Sequence, residues 1–145
     1  MYEVRSVMNV NVLTVSQDTT VETTIRQLIE NRISGMPVLD EKERLVGIVS
    51  EFQLLETLYS PEIRAMPVRD VMTKDVLTVN PDTSLSDATS LMVAHRIRRL
   101  PVVVDGKVVG VVSRHDLLKY ALEAGDQLYE FLDEIRTYGC PASCE

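Results

Sequence analysis

Hydrophobic and polar positions fall into one order of patterns that runs twice along the chain. A short apolar run at residues 12–15 leads through Asp18 and Thr19 into a stretch of helical period. There Val21, Ile25, Leu28 and Ile29 stand at i, i+4, i+7 and i+8, one face of a helix. Two runs rich in β-branched residues follow at 36–39 and 45–50, joined by a polar turn at 40–44, and a second helical stretch carries Leu54, Leu55, Leu58 and Tyr59. The second half has an apolar run at 76–79, a helical face of Leu85, Thr89, Met92 and Val93, runs at 100–104 and 108–113, and a closing stretch with Leu117, Leu118, Ala121 and Leu122. Asp105-Gly106 between its two runs is a strong signal for a two-residue hairpin. Each half therefore predicts β-α-β-β-α with its helix faces buried.

The likeness extends to residue identity. A shift of 64 places Val4, Arg5, Val7 and Met8 on Val68, Arg69, Val71 and Met72, and Asp18-Thr19 on Asp82-Thr83; 14 of the 36 pairs from residue 4 to 39 are identical. Chance would give about two, so these are repeated units. A unit of about 60 residues is marginal alone, and continuous apolar strands ask for cover on both faces. The expected fold is α+β: two β-α-β-β-α repeats packed as one pseudo-twofold module. The expected bounds are 1–60 for the first repeat, 61–67 for a linker and 68–124 for the second. Residues 125–145 hold an amphipathic C-terminal helix with Leu128, Phe131, Leu132 and Ile135, then a tail. That helix could cover its own chain or a second copy.

Composition narrows the function classes. The chain has 145 residues, 45% hydrophobic and 26% charged, near the globular average. No apolar run reaches the ~18 residues of a membrane span, and the N-terminus lacks a basic start followed by an apolar stretch, so a soluble, cytoplasmic protein with no membrane partner is expected. The net charge of −7 argues against nucleic acid as a partner. Cys140 and Cys144 are too few and too peripheral to form a disulfide framework, and no histidine stands near them to complete a metal site. No P-loop, Rossmann glycine pattern or nucleophile–base set is present, so no catalytic residue and no enzyme activity is assigned.

Val-Arg-Asp-Val-Met-Thr at 68–73, Leu-Thr-Val at 77–79, Arg-Ile-Arg-Arg-Leu-Pro-Val-Val at 96–103 and Gly-Val-Val-Ser-Arg-His-Asp-Leu at 110–117 resemble the cystathionine β-synthase (CBS) domain family, and their double occurrence resembles a CBS pair, or Bateman module. The resemblance implies a non-enzymatic regulatory module. It implies as ligand an adenine nucleotide (AMP, ADP or ATP), or S-adenosylmethionine, bound in the cleft of the second repeat, with no required cofactor. Carried over by position, the ligand residues are Thr78, Val79, Arg98, Arg99, Leu100, Pro101, Ser113 and Asp116, with Asp116 on the ribose hydroxyls; Arg114, placed by the residues themselves in the first helical turn, could also reach a phosphate. A weaker first site would use Thr14, Val15, Met36, Pro37 and Ser50. There Gln53 replaces the aspartate, and Ser34-Gly35 replaces Arg98-Arg99. The resemblance also implies a homodimer and an effector protein reached in trans.

The residues themselves leave two readings of the Ser-x-x-Asp segment. Ser113 and Asp116 have the spacing of a helix capping box, and Ser50 with Gln53 fits that pattern equally well. Charge placement favours a ligand: residues 94–119 hold six cations and two acids, about +4 against about −11 elsewhere. A phosphate suits such a segment beside a helix N-terminus. Arg98 and Arg99 project to opposite sides of a regular strand, so a regular strand would offer only one of them to a given site. The alternative function is a dimerising or docking module with no small-molecule ligand.

Overall fold

The computed structural model describes residues 2–123. The helix expected within 125–145 and both cysteines lie outside the described residues. The described chain divides into two compact units, each discontinuous in sequence: residues 12–76 with 106–108, and residues 2–11, 77–105 and 109–123.

The first-repeat unit contains β1 (Val15–Ser16), α1 (Val21–Asn31), β2 (Gly35–Leu39), β3 (Leu45–Ser50) and α2 (Glu51–Glu56), then short 3-10 turns at Thr57–Tyr59, Pro61–Ala65 and Val68–Asp70. Its three-stranded sheet runs β1-β2-β3. β1 is parallel to β2, with Val15 opposite Val38, and β2 is antiparallel to β3, with Met36 opposite Val49. Val15, Val21, Leu28, Met36, Val38, Val49, Leu54 and Val68 form its core.

The second-repeat unit opens with a 3-10 turn at Val4–Ser6 and continues with α3 (Leu85–His95), β4 (Arg99–Val104), β5 (Lys107–Ser113, which enters this unit at Val109) and α4 (Arg114–Glu123). β4 pairs with β5, and the expected leading strand is reduced to a parallel bridge between Val79 and Val102. Val4, Val79, Leu85, Ala88, Met92, Leu100, Val102, Val112 and Leu117 form the core. The hairpin turn is as expected, with Asp105 at φ 52° and Gly106 at φ 80°, the positive values that a two-residue type I′ turn needs.

Two expectations about helix faces need correction. Ile29 and Val93 are exposed, at 69% and 40%, while Thr24 and Ala88 are fully buried in the stripes of α1 and α3. Thr24 can be buried because its hydroxyl donates to the Thr20 carbonyl at 2.9 Å, which leaves no unmet polar group. The closing helices bury a single stripe: Leu54 and Leu117 are in the cores, whereas Leu55, Leu58, Tyr59, Leu118 and Leu122 face solvent. The expected strand at 12–15 shrinks to Val15–Ser16, because only these residues find a register on β2.

The opening segment of each repeat is built into the other repeat's body. Val4 N–H donates to the Thr83 carbonyl at 2.8 Å, and Leu85 N–H to the Tyr2 carbonyl at 2.9 Å. The equivalent bonds of the other unit run from Val68 N–H to Thr19 at 2.7 Å and from Val21 N–H to Met66 at 2.9 Å. Val4 and Val68 are each 0% exposed. The segments also close the sheets: Asn9 bridges Val111 on β5, and Thr73 bridges Ile48 on β3.

Candidate ligand site

The nine residues expected to form the stronger site all lie in the second-repeat unit. β5 delivers Ser113, and α4 begins at the next residue. Ser113 N–H donates to Asp116 Oδ2 at 2.8 Å, and Asp116 N–H donates to Ser113 Oγ at 3.1 Å. This is a reciprocal capping box with aspartate in the third helical position. The capping reading and the ligand reading are compatible, because a carboxylate has two oxygens and the cap uses one. Among the described residues Oδ1 of Asp116 accepts no hydrogen bond that competes with a ligand. Arg114 N–H donates to the Arg98 carbonyl at 2.9 Å, which ties the start of α4 to the segment before β4.

Around this cap Thr78, Arg98, Arg114 and His115 are exposed, and Ser113, Asp116 and Arg99 are half-buried. Val79, Leu100 and Pro101 are in the core, so their side chains hold the frame and only backbone groups could meet a ligand. β4 reads half-buried, buried, buried, buried along Arg99 to Val102 rather than alternating, as expected of a strand covered on both faces. Arg98 precedes the strand and is not bound by its alternation.

The first-repeat unit offers the same frame with different chemistry. Thr14 is exposed, Val15, Met36 and Pro37 are buried, and Ser50 is half-buried. Glu51 N–H donates to the Ser34 carbonyl at 2.9 Å, matching the bond between Arg114 and Arg98. Ser50 N–H donates to Gln53 Oε1 at 3.0 Å, and Gln53 N–H to Ser50 Oγ at 3.4 Å. Here the side chain is committed at both ends, since Gln53 Nε2 donates to Thr73 Oγ1. At the position equivalent to Thr73, Asn9 Oδ1 accepts from Asn11 N–H at 2.9 Å. The contrast between an amide bonded through both its oxygen and its nitrogen and a carboxylate whose cap uses one oxygen is the main difference between the two caps.

Sequence reasoning missed the role of the opening segment in the second-repeat unit. Tyr2 and Tyr120 stack at a tilt, with ring centroids 5.4 Å apart and planes at 58°. Burial raises the Tyr120 phenol above its ordinary value, and the neighbouring Tyr2 adds to this. Nothing in the local pattern of Tyr2 points to a residue so far along the chain. The identity of Val4-Arg5 with Val68-Arg69 was a signal that these segments do the same work, though not where.

The family model for the CBS domain matches residues 4–60 and 68–123, the two repeats. The chain belongs to the CBS domain family. Inosine-5'-monophosphate dehydrogenase of Methanocaldococcus jannaschii is 38% identical to this CBS pair over 110 residues, which is 75% of this chain and 21% of the dehydrogenase. The chloroplastic CBS domain-containing protein CBSX1 of Arabidopsis thaliana is 35% identical over 138 residues, covering 75% of this chain and 58% of the relative. The chain thus spans about a fifth of the first relative's length and under two thirds of the second's. Among solved structures, the crystal structure of CBSX2 in complex with AMP has a TM-score of 0.79 at 33% identity, covering 86% of this chain and 99% of that one. No helix among the described residues is long and apolar enough to cross a membrane.

Proposed function

We propose that this CBS pair is a non-enzymatic regulatory module that binds an adenine nucleotide at the Ser113–Asp116 cap of the second repeat and acts on a partner protein in trans. The observation that carries the reading is the half-used carboxylate of Asp116. Its Oδ1 can accept from vicinal ribose hydroxyls in charge-assisted bonds while Oδ2 continues to cap α4. The exposed guanidiniums of Arg98 and Arg114 and the N-terminus of the ten-residue α4 suit a phosphate tail. The likeness to an AMP complex at 33% identity makes AMP the first probe. A ligand that prefers one conformation shifts the population toward it, which is the regulatory act.

Gln53 spends its oxygen on the cap and its amide on Thr73, so the first repeat offers no spare acceptor and is the weaker site. The exposed apolar residues of the closing segments recur at equivalent positions, Leu55 with Leu118 and Tyr59 with Leu122, the last two 91% and 84% exposed. A surface repeated in this way suits isologous pairing with a second copy, giving a homodimer. Sedimentation of a monomer at all concentrations would refute the dimer.

Calorimetric titration of the full chain with AMP tests the main reading. One AMP per chain is expected, with a thermal stabilisation of ~2.7 kcal/mol when AMP stands 100-fold above its dissociation constant. Absence of heat and of stabilisation by AMP, ADP, ATP and S-adenosylmethionine would instead leave a docking module without a small-molecule ligand. The Ser50–Gln53 cap, whose amide is also bonded to Thr73, favours that second reading for the first repeat.

A further inference from the structure

The two elements that meet at the Ser113–Asp116 cap are both held by the opening segment of the chain. Asn9 N–H donates to the Val111 carbonyl and Val111 N–H to the Asn9 carbonyl, each at 2.9 Å, which fixes β5 two residues before Ser113. The approach is close: a Cβ added at Gly110 would stand 2.9 Å from Met8 Sδ and 3.1 Å from the Asn9 carbonyl. At the other end Tyr2 accepts from Leu85 N–H at 2.9 Å, anchoring it to the start of α3, and its ring lies against Tyr120 on α4. Tyr120 is one turn beyond Asp116, on the same face of the helix. Between these ends Val4 is fully buried in the unit's core. Residues 2–9 therefore touch the strand in front of the cap and the helix behind it.

The first-repeat unit has the same backbone bridge, between Thr73 and Ile48, but not the aromatic grip. The positions equivalent to Tyr2 and Tyr120 are Met66, which is 38% exposed, and Thr57, whose hydroxyl donates to the Leu54 carbonyl at 2.6 Å. The stacked pair thus belongs to the unit that also carries the half-used carboxylate.

We propose that residues 2–9 are a positioning strap for the Asp116 site, with Tyr2 acting through Tyr120 to set the placement of α4 and hence the affinity of the second repeat for nucleotide. This rests on the function proposed above. A ligand held between the start of α4 and the segment before β4 binds most tightly when both are fixed in advance, since it need not order them itself. Linkage makes the effect reciprocal: nucleotide bound at Asp116 must stabilise the strap by the same factor that the strap strengthens nucleotide binding.

The experiment is an AMP titration of the full chain as wild type, Tyr2→Ala, Tyr2→Phe and Met66→Ala. Tyr2→Ala is expected to weaken AMP binding by about tenfold. Tyr2→Phe, which keeps the ring, should return to within about twofold of wild type, and Met66→Ala should leave affinity unchanged. A purely structural role would not separate Tyr2→Ala from Met66→Ala in this way. If Tyr2→Ala fails to fold, hydrogen exchange of the wild type decides. AMP should slow the Asn9 and Leu85 amides and leave the equivalent Thr73 and Val21 amides unchanged. Wild-type affinity in folded Tyr2→Ala, equal weakening in Met66→Ala, or equal slowing in both sets of amides overturns the strap alone. A wild type that binds no AMP removes the proposed function and the strap's role together.

Discussion

Arg5 pairs with Asp82, 77 residues further along the chain, and the equivalent Arg69 of the second repeat pairs with Asp18 of the first. Each arginine belongs to the opening segment of one repeat and each aspartate to the loop before the main helix of the other. The two pairs mark where the chain exchanges its opening segments, and they are surface pairs, with Arg5 54% and Asp82 74% exposed. Their contribution to stability is small for that reason. The buried valine beside each arginine holds the exchange.

Val4→Ala should therefore lower the stability of the second-repeat unit by about 2 kcal/mol, through lost burial and the cavity left behind. Arg5→Ala should cost less than about 1 kcal/mol. Urea denaturation of both variants ranks them, and a larger loss for Arg5→Ala would mean that the ion pair rather than the apolar contact holds the segment.

At the ligand site Asp116→Ala should weaken AMP binding by roughly 1.5–3 kcal/mol, the range for hydrogen bonds to a charged group. It also removes a capping acceptor, so its effect on folding must be separated by a thermal melt without ligand. Gln53→Ala removes the corresponding cap in the first repeat and should leave AMP affinity nearly unchanged. Calorimetry that finds Gln53→Ala the more damaging of the two for binding reverses the assignment of sites.

The sheet-closing bridges make two glycines sensitive. A Cβ at Gly47 would lie 2.5 Å from Met72 Sδ and 2.8 Å from the Thr73 carbonyl, whereas at Gly110 the nearest atoms are Met8 Sδ at 2.9 Å and the Asn9 carbonyl at 3.1 Å. A side chain can move aside more easily than a backbone carbonyl. Gly47→Ala is expected to cost about 1–3 kcal/mol, and Gly110→Ala less. Melting temperatures of the two variants should fall in that order.

Burial raises the Tyr120 phenol above the ordinary value near 10. A group whose folded value is raised contributes its full stability below the unfolded value and loses it as pH rises through the folded one. Stability should thus fall above about pH 10 and fall less in Tyr120→Phe. Identical alkaline melting curves for the two proteins would place Tyr120 in water rather than against Tyr2.

Much of this protein is readable from its order of residues. The hairpin at Asp105-Gly106 forms because both positions tolerate positive φ, and that is a local property. The four principal helices follow from their apolar period, and the starts of two of them from the Ser50 and Ser113 capping pattern. The failures have a common cause. Ile29, Leu55 and Leu118 carry the right period for burial, yet which apolar stripe a helix hides depends on what packs against it. At the cap, spacing alone could not separate Ser50-x-x-Gln53 from Ser113-x-x-Asp116, because both are good helix starts. The structure adds that Thr73 takes up the Gln53 amide, while at the equivalent position the Asn9 side-chain oxygen accepts from Asn11 N–H.

The sequence by itself determined that there are two equivalent repeats, where their main helices and paired strand runs lie, and that the second carries aspartate and arginines where the first has glutamine, serine and glycine. These follow from identity, period and residue type, which are local. It also placed the same arginine and the same aspartate in both repeats, and was silent on how they pair. The tertiary structure decided that Arg5 meets Asp82 and Arg69 meets Asp18, and with them that each opening segment completes the other repeat's core. Equivalent segments have equal local preferences, so the exchange is legible only in the tertiary contacts, where Val4 joins the core that holds Leu85 and Val68 the core that holds Val21.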